Sequence, residues 1–501
     1  MSLLKYTVLS AALTLACVPV SHAEPATPIH HVVLISIDGL HAFDLRHFIK
    51  THPHSTLADL ARHGVEYSQD FTPAPADSFP GLMALTTGGT PGQTGIYYDV
   101  SYDRALSPPG SACQTLGTTV TYDEAVDGPG AAAGLPSINA DLLPRDPRKN
   151  CSPVYPHSYL RVNTIFNVVR DAGGYTAWID KHPVYEIVEG PNGEGVNDLY
   201  TPEIGEDAEG NLTKGMDKIT ASISRTEHYD DHKMDALINE IRGHTHDGKS
   251  SAPVPTLAGL NLQAVNVGQK KAGYLNAQGT PTPALNGAIE NCDHQIGRLM
   301  DTLKAQHLQS DTLVIVTAKH GNGPIAPHLA RRLDRTLLAH QIDAAAPGAL
   351  AQITTDRGAL IWLHQARDTS EVVHALEQNR KPLGIKTVLS GNALRQHFRV
   401  AAGDDRIPDI IVIPQPGVIY VKAGDHKLAE HGGWSDHDRH VALLIANPHL
   451  HHQGVVVRRK VAATQVAPTI LAALGLNPDD LQAVATSHIT VLPDSRMILS
   501  H

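Results

Sequence analysis

Four cysteines in 501 residues, no surplus of positive charge and no long apolar run beyond the first two dozen residues set the first bounds on this chain. A formal charge of -11 excludes a general nucleic-acid binder, which needs a basic surface to displace counterions. Any anionic substrate must therefore be met by local positive charge. Past the N-terminus nothing offers the ~20 apolar residues a membrane span needs. Internal repeats and low-complexity tracts are also missing, and the cysteine spacing matches no zinc ribbon. What remains is an ordinary globular composition, 42% hydrophobic and 18% charged.

Residues 1 to 23 read as a secretory signal: Lys5, then the apolar stretch VLSAALTLACVPV, then Ser21, His22 and Ala23 as a small-residue cleavage context. The mature chain would begin near Glu24, in an exported compartment, periplasmic or secreted. Three cysteines then remain, so at most one bridge forms within the chain. Cys113 and Cys151 flank a Gly/Pro/Asp-rich stretch suited to stapling, whereas Cys292 sits in a helical pattern as a buried thiol.

Apolar runs of strand length alternate with helical patterns. The strand candidates are HHVVLISIDG, GYTAWID, LNLQAVNV, TLVIVTA, GALIWLH, PDIIVIP and HVALLIANP. The alternation predicts a mainly parallel sheet covered by helices, an α/β fold. Residues 97–160 and 183–255 break the rhythm and are rich in Gly, Pro, Asp and Ser. One domain, 24–501, with these two stretches as lids over the sheet edge is the expected organisation.

Candidate site residues lie where strands end, because ligands of α/β sheets bind at the carboxyl edge. Asp38 ends the first strand and either binds a cation or caps a turn. Ser78, in DSFPGLMALTTGG, carries an N-cap signature with proline in the first turn. A hydroxyl there also faces the helix's free N–H groups, where a phosphate or sulfate would be held. VTAKHG brings Lys319 and His320 to a strand end, and AEHGGWSDHDRH supplies His431 in a Gly-flanked loop, with His437 and His440 read as solvated or structural. Lys181 and His182, after GYTAWID, are possible anion contacts or an ordinary solvated loop.

Taken in order, ISIDG, SFP, VTAKHG and EHGG resemble the alkaline phosphatase superfamily, in particular its type I phosphodiesterase and nucleotide pyrophosphatase branch. The resemblance implies a three-layer α/β/α sandwich. It implies Asp38, His320 and His431 as metal ligands, Ser78 as nucleophile where the branch usually has threonine, and Asp99 where it often has an asparagine that binds the transferred group. It further implies an exported hydrolase of phosphate esters, diesters or pyrophosphate-linked compounds above all, acting through a Ser78 phosphoryl-enzyme on a small anionic substrate.

The departures are as informative. The branch's intermediate motif, an aspartate with a histidine four residues on, falls at Val265 and Gln269, and Lys319 stands where aspartate is usual. Two unit charges ~4 Å apart interact by about 4 kcal/mol at an effective dielectric near 20, so an ammonium beside a divalent ion costs roughly twice that. A full two-zinc site is not expected. Either one zinc or manganese ion remains, or Lys319 supplies positive charge in a metal's place as a catalytic group. Lys319 paired to Asp38 in a site without turnover is the bland reading. An anion- or glycan-binding protein and a sulfate or phosphonate esterase are the alternatives to a phosphate esterase.

Overall fold

Every residue of His31–Ile37 (β1) after the first is buried, on both faces, as a central parallel strand requires. The computed structural model describes residues 28–128, 137–204, 218–447 and 454–495. The signal-like segment 1–23 lies outside these residues. In chain order β1 is followed by Gly64–Tyr67 (β2), Thr176–Ile179 (β3), Asp198–Tyr200 (β4), Leu257–Leu262 (β5) and Thr312–Thr317 (β6). Next come Leu350–Thr355 (β7), Ala359–Leu363 (β8), Ile385–Ser390 (β9), Ile410–Pro414 (β10), Leu443–Ala446 (β11) and Val455–Val457 (β12).

Among the described residues the central sheet has eight strands in the order β12-β2-β11-β6-β1-β5-β3-β4. β1 runs parallel to both β5 and β6, β5 to β3 and β3 to β4, whereas β11 is antiparallel to β6 and to β2. The alternation of side chains along β1 divides the core. Val32 and Leu34 pack with Phe79 and Leu82 of Ser78–Thr87 (α1), while Val33, Ile35 and Ile37 pack with Leu237 of Ile223–Ile241 (α2) and Ile289 of Pro283–Ala305 (α4). Helices thus cover both faces, giving three layers.

Two of the strands expected in the parallel sheet lie elsewhere. β8 and β10, the GALIWLH and PDIIVIP runs, belong with β7 and β9 to a separate four-stranded sheet in the order β7-β8-β10-β9, antiparallel throughout. The physical reason is loop length. Only Asp356, Arg357 and Gly358 separate β7 from β8, enough for a hairpin and far too few for a parallel crossover. This sheet has its own core, in which Ile361, Val412, Leu338 and Leu376 are buried.

The stretch 183–255 contributes more than a cover: β4 is the edge strand of the central sheet, and α2 packs on β5 and α4. In 97–160 a bridge joins Cys113 and Cys151, while Cys292 is a buried free thiol. The strand foreseen through residue 267 stops at Leu262. The Asp230 carboxylate of α2 accepts from the backbone N–H groups of Gln263 and Ala264, and this starts the helix Ala264–Lys271 (α3). No described helix is long and apolar enough to cross a membrane.

Candidate active site

Four parallel strands end side by side, and each delivers a polar group to the same edge. Asp38 follows β1, Asp180 and Lys181 follow β3, Asn261 and Gln263 flank the end of β5, and Lys319 and His320 follow β6. The N-terminus of α1 lies above them. The helix is capped by Asp77, whose extended backbone lets its carboxylate accept from the Phe79 N–H at 3.1 Å. Ser78, read in the sequence as the cap, is instead the first residue of α1, and its hydroxyl is left for other partners. Gly81 fixes how close α1 can come, since a Cβ there would stand 2.1 Å from the Lys319 carbonyl oxygen.

The Ser78 hydroxyl lies against His320 and Lys181, with the Tyr185 side chain also within hydrogen-bond reach. Ser78 Oγ lies 3.1 Å from His320 Nε2 and 3.2 Å from Lys181 Nζ. On the far side of the imidazole, Nδ1 faces the Gly321 carbonyl at 3.2 Å. An N–H at Nδ1 satisfies that carbonyl, so Nε2 carries the lone pair toward Ser78. Burial, the nearby His431 and Lys181 hold His320 well below the usual histidine range, outweighing the attraction of Asp38 and Asp77. Neutral His320 accepts the serine proton, and cationic Lys181 donates to the oxygen.

Asp38 is buried and fully engaged. Its Oδ1 accepts from Asn261 Nδ2 at 2.8 Å, and its Oδ2 from Gln263 Nε2 at 2.6 Å and from Lys181 Nζ at 3.3 Å. Gln263 also donates to the Asn261 side chain. Burial pushes the Asp38 carboxyl up, but the Lys319 and Lys181 ammonium groups outweigh it and, with the Gln263 hydrogen bond, hold the group well below the usual carboxylate range. For Lys181 burial favours the neutral amine, yet Asp38 and Asp180 prevail and keep it charged. Lys319 sits apart from Ser78: its Nζ bonds both oxygens of Asp180, at 2.9 and 3.1 Å, with both side chains fully buried. The Tyr185 ring lies 4.3 Å from Lys319 Nζ and 5.6 Å from Lys181 Nζ, a shared aromatic wall.

The other sequence candidates lie as follows. His431 Nδ1 stands 3.1 Å from Asp77 Oδ1, and its ring is 4.3 Å from that of His320. His182 points to Glu203, 2.7 Å away. Asp99 accepts from the Val100 N–H, and burial with Asp77, Asp123 and Asp356 nearby raises its carboxyl well above the usual range. His437 offers only its carbonyl to His41, and His440 Nε2 meets the Ser68 carbonyl.

A sequence model of the type I phosphodiesterase / nucleotide pyrophosphatase family matches residues 32–438. The chain belongs to this family. Among curated proteins no relative matches by sequence. Among solved structures, the murine ectonucleotide pyrophosphatase / phosphodiesterase 5 is similar at 15% identity and a TM-score of 0.57, over 89% of this chain and 96% of that one. The human protein of the same name stands at 16% and 0.57, over 89% and 95%. Wild-type alkaline phosphatase PafA stands at 12% and 0.61, over 90% and 97%. The fold is thus of the alkaline phosphatase type, as the motif order implied.

Family members typically bind metal ions, and the donor chemistry here tests whether this chain fits one. Asp38 and Asp180 each face an ammonium, Lys181 and Lys319, and Asp77 faces the His431 ring, so each of these carboxylates already has a nitrogen partner. On the face of the sheet that α3 covers, Val265 is buried in the core. There Gln269 donates to the Gly39 carbonyl and accepts from Asn322, which also donates to Asn266. Among the described residues, the three-residue His/Asp/Glu group with donor atoms mutually within 4.8 Å is His157, Glu186 and Glu189. In it the His157 ring already pairs with Glu186. The residues around Ser78 do not fit a divalent ion.

Asp180, Asn261, Gln263 and Asp77 escaped the sequence reading. One of them had a signal: TAWIDK ends a strand in Ile-Asp, just as ISIDG does.

Proposed function

We propose that this protein is an exported hydrolase of phosphate esters, with phosphodiesters or pyrophosphate-linked compounds as substrates and Ser78 as the nucleophile. The observation that carries the reading is the Ser78 hydroxyl, at the N-terminus of α1, between the lone pair of His320 Nε2 and the ammonium of Lys181. Ser78 Oγ attacks phosphorus as its proton passes to His320 Nε2. The bond to the leaving oxygen breaks on the opposite side, where solvent supplies a proton if the leaving group needs one. Lys181 and the helix N-terminus take up charge on the non-bridging oxygens. Water then attacks phosphorus and releases a proton to solvent, the Oγ–P bond breaks, and Ser78 regains its proton from His320.

Lys319 acts at one remove, holding Asp180 and, with Lys181, keeping Asp38 ionised. Asp99 and His182 are assigned to substrate contacts, and His431 stands on Asp77. Family membership favours diesters over monoesters, and the murine relative solved in complex with AMP makes nucleotide-containing diesters a sensible first choice. Export is supported by the signal-like N-terminus and the Cys113–Cys151 bridge.

The test is the purified protein on a panel of diesters, pyrophosphate-linked nucleotides, monoesters, and sulfate and phosphonate esters. Turnover should be highest on diesters or pyrophosphate bonds, and Ser78→Ala should lower it by about 10³-fold or more. Full turnover by Ser78→Ala would refute the covalent route. A second reading, an anion- or glycan-binding protein without turnover, is favoured by Val265, Gln269 and Lys319, which bring no carboxylate or imidazole to a cation. It gains if phosphate binds and no ester on the panel is cleaved.

A further inference from the structure

We propose that nucleophile activation at Ser78 needs no divalent ion, because Lys181 Nζ takes the place of one on Asp38 and Ser78. The inference rests on the nucleophile reading above and deepens it. A metal shared by a strand-end carboxylate and a serine oxygen would have to touch both. Here a single ammonium does so, 3.3 Å from Asp38 Oδ2 and 3.2 Å from Ser78 Oγ. The remaining acceptor positions of Asp38 are filled by the Asn261 and Gln263 amides, both donating. Gln263 is itself anchored by two backbone and carboxylate contacts to Asp230, so the amides are built in rather than incidental.

Lys319 closes the argument from the second strand. Its pairing with Asp180 occupies a second buried carboxylate of this cluster, and the third, Asp77, caps α1 and stands 3.1 Å from His431 Nδ1. An ion shared by Asp38 and Ser78 would have to displace an ammonium that bonds Asp38, Ser78 and Gln263 and stands beside the Tyr185 ring. Lys181 therefore acts as a catalytic residue, donating first to Ser78 Oγ and then to the phosphoryl oxygens that replace it.

A fluorophosphonate tests this without any knowledge of the natural ester. Ser78 Oγ forms a bond to phosphorus, the P–F bond breaks, fluoride leaves, and the serine proton passes through His320 Nε2 to solvent. Full-chain protein is stripped with dipicolinate, and its zinc, manganese, magnesium and calcium are measured by mass spectrometry. The rate of Ser78 labelling is then followed by intact mass, with and without added zinc or manganese. The expected result is the same rate in stripped and metal-replete protein, a roughly 100-fold slower rate in Lys181→Met, and partial recovery in Lys181→Arg. Zinc added to stripped protein should also leave the melting temperature unchanged.

Labelling that appears only with metal, stoichiometric zinc or manganese surviving the chelator, or a wild-type rate in Lys181→Met would each overturn the proposal. The comparison of stripped and replete wild type stands even if Lys181→Met fails to fold. Metal-independent labelling alongside no cleavage of any ester would sink the esterase reading and leave this one standing. Metal-dependent cleavage would do the reverse.

Discussion

The carboxyl edge of the sheet serves two polar clusters, one on the face that α1 covers and one on the face that α3 covers, and they answer their buried polar groups differently. On the Ser78 side, charge is answered by charge: Asp38 with Lys181, and Asp180 with Lys319. On the Gln269 side, dipoles answer dipoles. Gln269, Asn322 and Asn266 form a buried chain that continues through Tyr274 to Asp44 and His41. The first cluster keeps formal charge beside a nucleophile, as transition-state stabilisation of an anion demands. The second cluster is knitted mainly by amide and hydroxyl bonds, and it leaves Asn322 Oδ1 and Asp44 Oδ1 without a partner. Only the first cluster sets a hydroxyl between an imidazole and an ammonium.

The comparison breaks most visibly at Lys319. Lys319→Met leaves Asp180 buried and unpaired, and should destabilise the fold by roughly 3 to 5 kcal/mol. The double variant Asp180→Asn with Lys319→Met should recover most of that loss, since no unpaired charge remains. Urea unfolding of the four proteins in the cycle measures it. Additive losses would mean that the pair is not the unit the geometry makes it.

The dipolar cluster predicts a smaller effect. Gln269→His restores the residue usual in the family but deprives Asn322 of its acceptor and Gly39 of its donor, at about 1 to 3 kcal/mol. Zinc should not recover the loss, because Val265 supplies no carboxylate. Thermal melts with and without zinc decide it, and a zinc-induced rise in melting temperature would show that this cluster still accepts an ion.

These partners explain which parts of the molecule could be read in advance. β1 and β6 were legible because a fully buried strand is a continuous apolar run, and Asp38, Lys319 and His320 were legible because they interrupt it. The separate antiparallel sheet was not, since GALIWLH has the same texture as a central strand and only its pairing distinguishes the two. Lys319 was weighed against Asp38 as partner, yet it bonds Asp180, which a residue string cannot place beside it. The roles of Asn261 and Gln263 depend on Asp230 ending the strand at Leu262, a contact from a helix 33 residues away in sequence.

Another buried carboxylate shows what Asp38 would do without its lysines. Asp70 is fully buried and neither oxygen finds a partner; burial pushes it up to about 8, against only the Phe71 N–H. Because the folded protein holds this proton more tightly than the unfolded chain, the stability it contributes is full below the unfolded value near 4. It is lost as pH rises toward 8, at no more than about 1.4 kcal/mol per unit. Asp70→Asn cannot ionise, so its stability relative to wild type should rise with pH, by up to about 2 to 3 kcal/mol between pH 5 and pH 7, on top of a pH-independent cost of burying the amide without partners. Chemical denaturation across pH 5 to 8 checks the sign. An Asp70→Asn variant whose relative stability falls as pH rises would mean that desolvation does not govern buried carboxyls here, and would weaken the case that the lysines are what keep Asp38 ionised.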